Sequence, residues 1–192
     1  MVDSNTLSWA YLEAGTIQTI GCLFCFFFAV NYHYGISFGD VVANSANWTL
    51  NDFTSSGNVV ISSGMQTDAL AVGQSAYYIS LMIQQSFNLF ICKARLALPF
   101  GKFMFTNPKN FYGVFGGAIL SFALVYIPPL NQVFGTNYIL TPYVWLIAAG
   151  FGLVNFIYSI LRFMVNRLRN PTKFIKDVQG LDLHPTRFST GR

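Results

Sequence analysis

The sequence is short of charge. Only 9% of its 192 residues are Asp, Glu, Lys or Arg, where a soluble domain carries about 25%. A chain of this size presents a large surface to its solvent, and this one lacks the groups to present to water. A soluble enzyme is therefore not the expected class. One sign of charge is also missing from half of the chain. Residues 1–92 contain no Lys or Arg and five acids (Asp3, Glu13, Asp40, Asp52, Asp68), a net −5. Residues 93–192 contain eleven bases and two acids (Asp177, Asp182), a net +9. The first apolar run has no basic leader, so it reads as a retained span rather than a cleaved signal peptide. The bases lie beside long apolar segments rather than in a solvated patch, which fits nucleic-acid binding poorly. No Gly-rich phosphate loop, nucleophile elbow or metal-ligand cluster occurs, and His33 and His184 lie far apart in the chain. No cofactor and no metal site is expected.

What is present is hydrophobicity: 53% of residues are hydrophobic and 17% aromatic. Four stretches reach the length of about 20 mostly apolar residues that a bilayer demands. They are 16–34, containing the run GCLFCFFFAV, then 69–92, 111–127 and 142–165. Pro128 and Pro129 end the third, and Pro142 suits the first turn of the fourth, where its missing N–H costs nothing. The expected fold class is all-α: a polytopic membrane protein with four transmembrane helices in a bundle. Residues 1–173 form the transmembrane domain and residues 174–192 a basic cytoplasmic tail.

Four spans put both termini on one side, and the placement of Lys and Arg assigns the sides. The segment after the second span holds Lys93, Arg95, Lys102 and Lys109. The tail after the fourth holds Arg167, Arg169, Lys173, Lys176, Arg187 and Arg192. Both are expected to be cytoplasmic, with Lys93, Arg95, Arg162, Arg167 and Arg169 as anchors. The loop at 35–69 has three Asp and no base, so it is expected outside, as is the link at 128–141. The N-terminal stretch is then inside with no base to hold it there. A longer parent chain or an inserting partner would account for that. The outward loop carries Asn47-Trp48-Thr49, an N-glycosylation sequon with Asn47 as acceptor.

Polar groups within a bilayer are expensive and mark functional candidates. The second span holds Gln74, Ser75, Ser80, Gln84, Gln85, Ser86 and Asn88. Gln85 and Asn88 are three apart and Gln84 and Asn88 four apart, so the three can share a helix face. Their carbonyl oxygens suit a cation path, but on spacing alone the favoured reading is interhelical hydrogen bonds that hold a bundle together. Gln18, Thr19 and Asn31 are the polar members of the first span, Asn155 and Tyr158 those of the fourth. Gly113 and Gly117, with Gly116 beside them, have the small-xxx-small spacing of close helix packing, and Gly150 and Gly152 offer similar room. Cys22 and Cys25 form a C-x-x-C pair, but an apolar span gives them neither exposure nor a low pKa, so packing is their expected role. Cys92 at the membrane edge is a palmitoylation candidate.

Three segments resemble P-type cation pumps of the sodium/potassium- and proton/potassium-pump branch. Residues 10–18, AYLEAGTIQ, resemble the start of the seventh membrane helix. The stretch 76–80, AYYIS, through Gln85 and Asn88 to ICKAR at 91–95 resembles the eighth helix and its exit, and is the most specific match. NFYGVF at 110–115 and Arg169-Asn170-Pro171 resemble the start of the ninth helix and the close of the tenth.

This resemblance spans residues 9–173 and implies a support domain beside the ion-carrying helices. It implies that residues 35–69 contact an accessory β-type subunit. It also implies that the Gln85 and Asn88 positions face the cation sites. Asn88 is neutral where the family places a carboxylate, and the ninth-helix carboxylate position falls at Gly116 or Gly117. The Asp-Lys-Thr-Gly phosphorylation motif is absent from the sequence. The expected function is a transmembrane module of a cation-transporting ATPase, not an enzyme by itself, that acts with a catalytic partner. The competing expectation is a non-catalytic structural subunit of a larger membrane complex. A free-standing channel is disfavoured, because no intramembrane acid or basic ring lines a pathway. The expected location is a plasma membrane, with an organellar membrane as the alternative.

Overall fold

The computed structural model describes residues 9–93, 109–138 and 142–169. Four long helices dominate it: α1 (Gly15–Tyr34), α3 (Ser63–Lys93), α4 (Lys109–Tyr126) and α6 (Tyr143–Arg169). Between them, among the described residues, lie two short α-helices, α2 (Phe38–Asn44) and α5 (Pro128–Phe134), a 3-10 turn (Ser45–Asn47), and a pair of two-residue strands, β1 (Phe53–Thr54) and β2 (Val60–Ile61). A π-helical turn, Trp9–Ala14, leads into α1.

Side-chain contacts give the helix directions. Tyr32 meets Tyr143, Phe24 meets Phe151, and Glu13 meets Arg162, so α1 runs antiparallel to α6. Gln18 reaches Gln84 at one end of α3, and the place a Gly73 Cβ would take lies against the Phe26 ring, so α1 also runs antiparallel to α3. Phe90 meets Phe111 and Met82 lies over Gly117, which sets α4 antiparallel to α3. Consecutive long helices therefore alternate in direction. The core between them is Cys25, Ala29, Val72, Ala76, Ile79, Val125, Val144 and Ala148. Its small residues bring α1, α3 and α6 close together.

Among the described residues, two helical segments are long and apolar enough to cross a membrane: Leu12–Tyr34 and Tyr143–Arg162. A third counts if Phe111–Tyr126 and Pro128–Phe134, bent by 87° at their junction, make one span. The bend falls where the sequence places Pro128 and Pro129, which begin α5 and cannot continue α4. The 31-residue α3 is the longest helix, but its polar residues dilute its apolar character. It begins six residues before the span read from sequence, because Ser63 N–H donates to Asp52 and the first turn belongs to the folded stretch before it.

The stretch 35–69 is folded, which its loop-like composition did not predict. Gly35 ends α1 in the left-handed region at φ 67°, which glycine adopts freely. Ser37 and Asp40 then form a reciprocal capping box that starts α2. The strands pair antiparallel, Phe53 with Ile61 and Thr54 with Val60, around a turn closed by Ser55 N–H to Val59 O. Val30, Ile36, Ile61 and Ala69 bury together beneath this cap.

Candidate functional site

Two clusters of polar side chains stand out among the described residues. The first is the junction of α1, α3 and α6. Gln84 is fully buried there; its Nε2 donates to Ser80 Oγ at 2.8 Å and approaches Cys22 Sγ at 3.4 Å. The close approach depends on Gly21: a Cβ there would lie 2.8 Å from Gln84 Nε2 and 2.9 Å from Phe151 Cβ. Gln18, also buried, donates to the backbone of Gln84 and accepts from Gln85 Nε2, both at the long end of hydrogen bonding. Asn155 on α6 is fully buried, and among the described residues neither its Nδ2 nor its Oδ1 has a hydrogen-bond partner. Gln84 Oε1 and Ser159 Oγ are likewise buried without one.

Below this junction, Ala14, Ile91 and Phe156 pack together, and Phe87 fills the space left by Gly152. At the helix ends, Arg162 Nε pairs with Glu13 at 2.8 Å, and the Tyr158 hydroxyl donates to the same carboxylate. This three-residue contact joins the π-helical turn leading into α1 to the second half of α6. Sequence reading named Arg162 and Glu13 only as separate charges. The available signal was their opposite sign at the same predicted end of the first and fourth spans.

The structure gives the sequence-selected residues different surroundings. Gln85 is exposed apart from its contact with Gln18, and Asn88, one turn further on, is half-buried. It is Gln84, their neighbour, that enters the core. Ser75 is buried for another reason: it accepts from Asn137 N–H and donates to Asn137 O, stitching the link after α5 onto α3. A Cβ at Gly117 would meet Met82 Cε at 2.5 Å, whereas Gly113, Gly116 and Gly150 have open space beside them. Cys22 and Cys25 are buried free thiols. Arg169 is exposed at the end of α6. The side chains of Cys92, Lys93 and Arg167, and all of Arg95 and 174–192, lie outside the described residues.

The second polar cluster is the cap at 35–69. Asp40 accepts from Ser37 N–H and Oγ at 2.9 Å, from Ser55 Oγ at 3.1 Å, and from the Ser56 N–H and hydroxyl. The Ser56 hydroxyl first, then the Ser37 N–H and the remaining Ser56 and Ser37 donors, hold the carboxyl well below the usual carboxylate range. Gln66, fully buried, accepts from Thr49 N–H at 2.6 Å and donates to the carbonyls of Asn51 and Ile61. It thereby holds Thr49 at φ 65°, an uncommon conformation for a β-branched residue. Asn47, the sequon residue two positions earlier, is exposed. Phe38, Val42, Leu50 and Val60 also leave the cap's outer surface apolar.

Residues 1–164 match the family described as Cation transporting ATPase, C-terminus. The sodium/potassium-transporting ATPase subunit alpha-3 of Rattus norvegicus and that of Homo sapiens are each 27% identical over 179 residues. The Gallus gallus protein of the same name is 26% identical over the same length. Each alignment covers 92% of this chain but 17% of the relative, so the chain spans about a sixth of the length of those proteins. The helical order, the apolar segments and a match running through all four long helices lead to one conclusion: the chain belongs to the family of cation-transporting ATPase C-terminal membrane domains.

Proposed function

We propose that the chain is a transmembrane support module of a P-type cation-transporting ATPase, stand-alone or split, that contributes to cation transport only with a catalytic partner. The observation that carries this reading is the family match over residues 1–164, which runs through α1, α3, α4 and most of α6. In this reading all four long helices cross the bilayer as a bundle. The exposed side chains of α4 and α6, among them Tyr112, Phe115, Ile119, Leu146 and Leu153, meet lipid or the partner's helices. Both termini lie in the cytoplasm; the Glu13–Arg162 pair, which joins the two ends of the bundle on one side, supports this. Gln85 and Asn88 face the cation path. The cap at 35–69, with its apolar outer residues, docks an accessory β-type subunit, and Asn47 is available there for glycosylation. The membrane is a plasma membrane by resemblance.

Mild-detergent purification of the tagged chain from its own cells tests the proposal. Recovery of a phosphorylatable pump subunit is the expected result, and ion-dependent ATP hydrolysis by that assembly should fall with Asn88→Leu. Repeated purification that yields other membrane subunits and no pump core would sink it. One observation favours a second reading, a non-catalytic structural subunit of a membrane complex. The Gln85 amide is engaged with Gln18 on α1, as interhelical glue would be, and Asn88, Gly116 and Gly117 supply no carboxylate. That reading predicts unchanged ATP hydrolysis in Asn88→Leu assemblies.

A further inference from the structure

We infer that the α1/α3/α6 junction is a built site for ordered water, held by Gln84, Asn155 and Ser159. Four buried side-chain atoms there lack a hydrogen-bond partner among the described residues: Gln84 Oε1, Asn155 Nδ2, Asn155 Oδ1 and Ser159 Oγ. Buried polar groups are nearly always satisfied, and each one left unsatisfied carries its full desolvation penalty. Four such atoms within one helix junction therefore define a site rather than an accident of packing.

The helix register places them near one another. Asn155 and Ser159 are one turn apart on α6, and Asn155 is one turn from Phe151. Phe151 Cβ and Gln84 Oε1 both lie 2.9 Å from where a Gly21 Cβ would stand. Phe87, three residues beyond Gln84, packs on Gly152 and Phe156, which bracket Asn155. Below, Ala14, Ile91 and Phe156 close the junction with apolar groups.

The chemistry of the unpartnered atoms selects the ligand. Two are carbonyl oxygens, which accept only; one is an amide NH2, which donates only; the hydroxyl does both. A bare cation would suit the carbonyls but would face the positive end of the Asn155 NH2, and among the described residues no carboxylate bonds to these atoms. An anion would suit the NH2 and be repelled by the carbonyls. Water donates and accepts at once and serves all four, with the two to four polar partners that a buried water requires. The Gln84 amide is already oriented by Ser80, so its Oε1 is held in place to accept. The site uses no atom of Gln85 or Asn88, and it does not rest on the pump reading.

The test uses the full chain in lipid nanodiscs, with solid-state NMR transfer of magnetisation from water to protein. The Asn155 and Gln84 side-chain amides should build up signal several-fold faster than the buried Ile79, Val125 and Ala148 methyls. Build-up as slow as those methyls would overturn the inference. Thermal unfolding of Asn155→Leu is the second arm. Loss of a water site leaves Gln84 Oε1 stranded, so the melting temperature should fall. A dry junction would be relieved of two unpaired atoms, and a rise would count against the site. If the variant fails to assemble, the wild-type NMR result decides alone.

Discussion

The cap at 35–69 and the helix junction treat polar groups in opposite ways. In the cap, Asp40 gathers five donors from Ser37, Ser55 and Ser56, and the Gln66 amide makes three hydrogen bonds to the loop backbone. In the junction, among the described residues, the Gln84 amide bonds only through its NH2 and neither end of the Asn155 amide has a partner. The cap's chain is irregular, so backbone groups left over by short elements need side chains to satisfy them. The long helices satisfy their own backbone and leave polar side chains to find partners across a helix interface. Polar residues thus shape the backbone in one region and occupy gaps between finished helices in the other.

The largest expected effect tests close packing at the junction. Gly21→Ala should destabilise the chain by about 1–3 kcal/mol, because the new methyl meets Phe151 Cβ as well as the Gln84 amide, and α1 must move away. Gly113→Ala has open space and should instead be neutral or slightly stabilising, up to about 1 kcal/mol from helix propensity. Unfolding in detergent measured on both variants checks the contrast, and equal losses would refute it. In the cap, Gln66→Ala strands Thr49 N–H and should cost about 1–3 kcal/mol of local stability. Faster proteolysis within 45–62, with the helix core unaffected, is the readout.

A smaller effect is expected where charges meet at the partly exposed helix ends. Each side chain of the Glu13–Arg162 pair is about one-third exposed (33% and 32%), so Glu13→Gln should cost no more than about 1 kcal/mol. The loss should shrink further at high salt if screening governs the pair. The mildest effect concerns pH. Asp40 has its carboxyl pKa depressed in the folded cap, so its stabilisation is complete above the ordinary carboxylate range. That stabilisation is lost as pH falls below about 4 toward the lowered folded value. Amide exchange in α2 and the strand pair should rise over that window, and Asp40→Asn should flatten the dependence.

Much of the architecture was legible in the residues. Apolar runs located α1, α4 and α6 to within a few positions, since a helix that must be apolar over its length announces itself by composition. Pro128 and Pro129 marked the end of α4, because proline cannot continue the preceding helix. The family resemblance was also legible, in ICKAR at 91–95 above all, and the comparison over residues 1–164 agrees with it. The folded cap was not legible. Its strands are two residues long, and its order comes from Gln66 and Asp40 acting on backbone up to seventeen residues away.

Sequence alone therefore determined that this chain is helical, suited to a membrane, and kin to the C-terminal part of cation pumps. Those properties are sums over many residues, and no single contact alters them. Tertiary structure alone decided which of two adjacent glutamines lies in the core, and which glycines are touched. Successive residues on a helix point about 100° apart. Because α3 carries polar groups on several faces, its own pattern leaves its rotation open. Gly21 and Phe151, more than sixty residues away on either side, set that rotation and turn Gln84 rather than Gln85 into the junction.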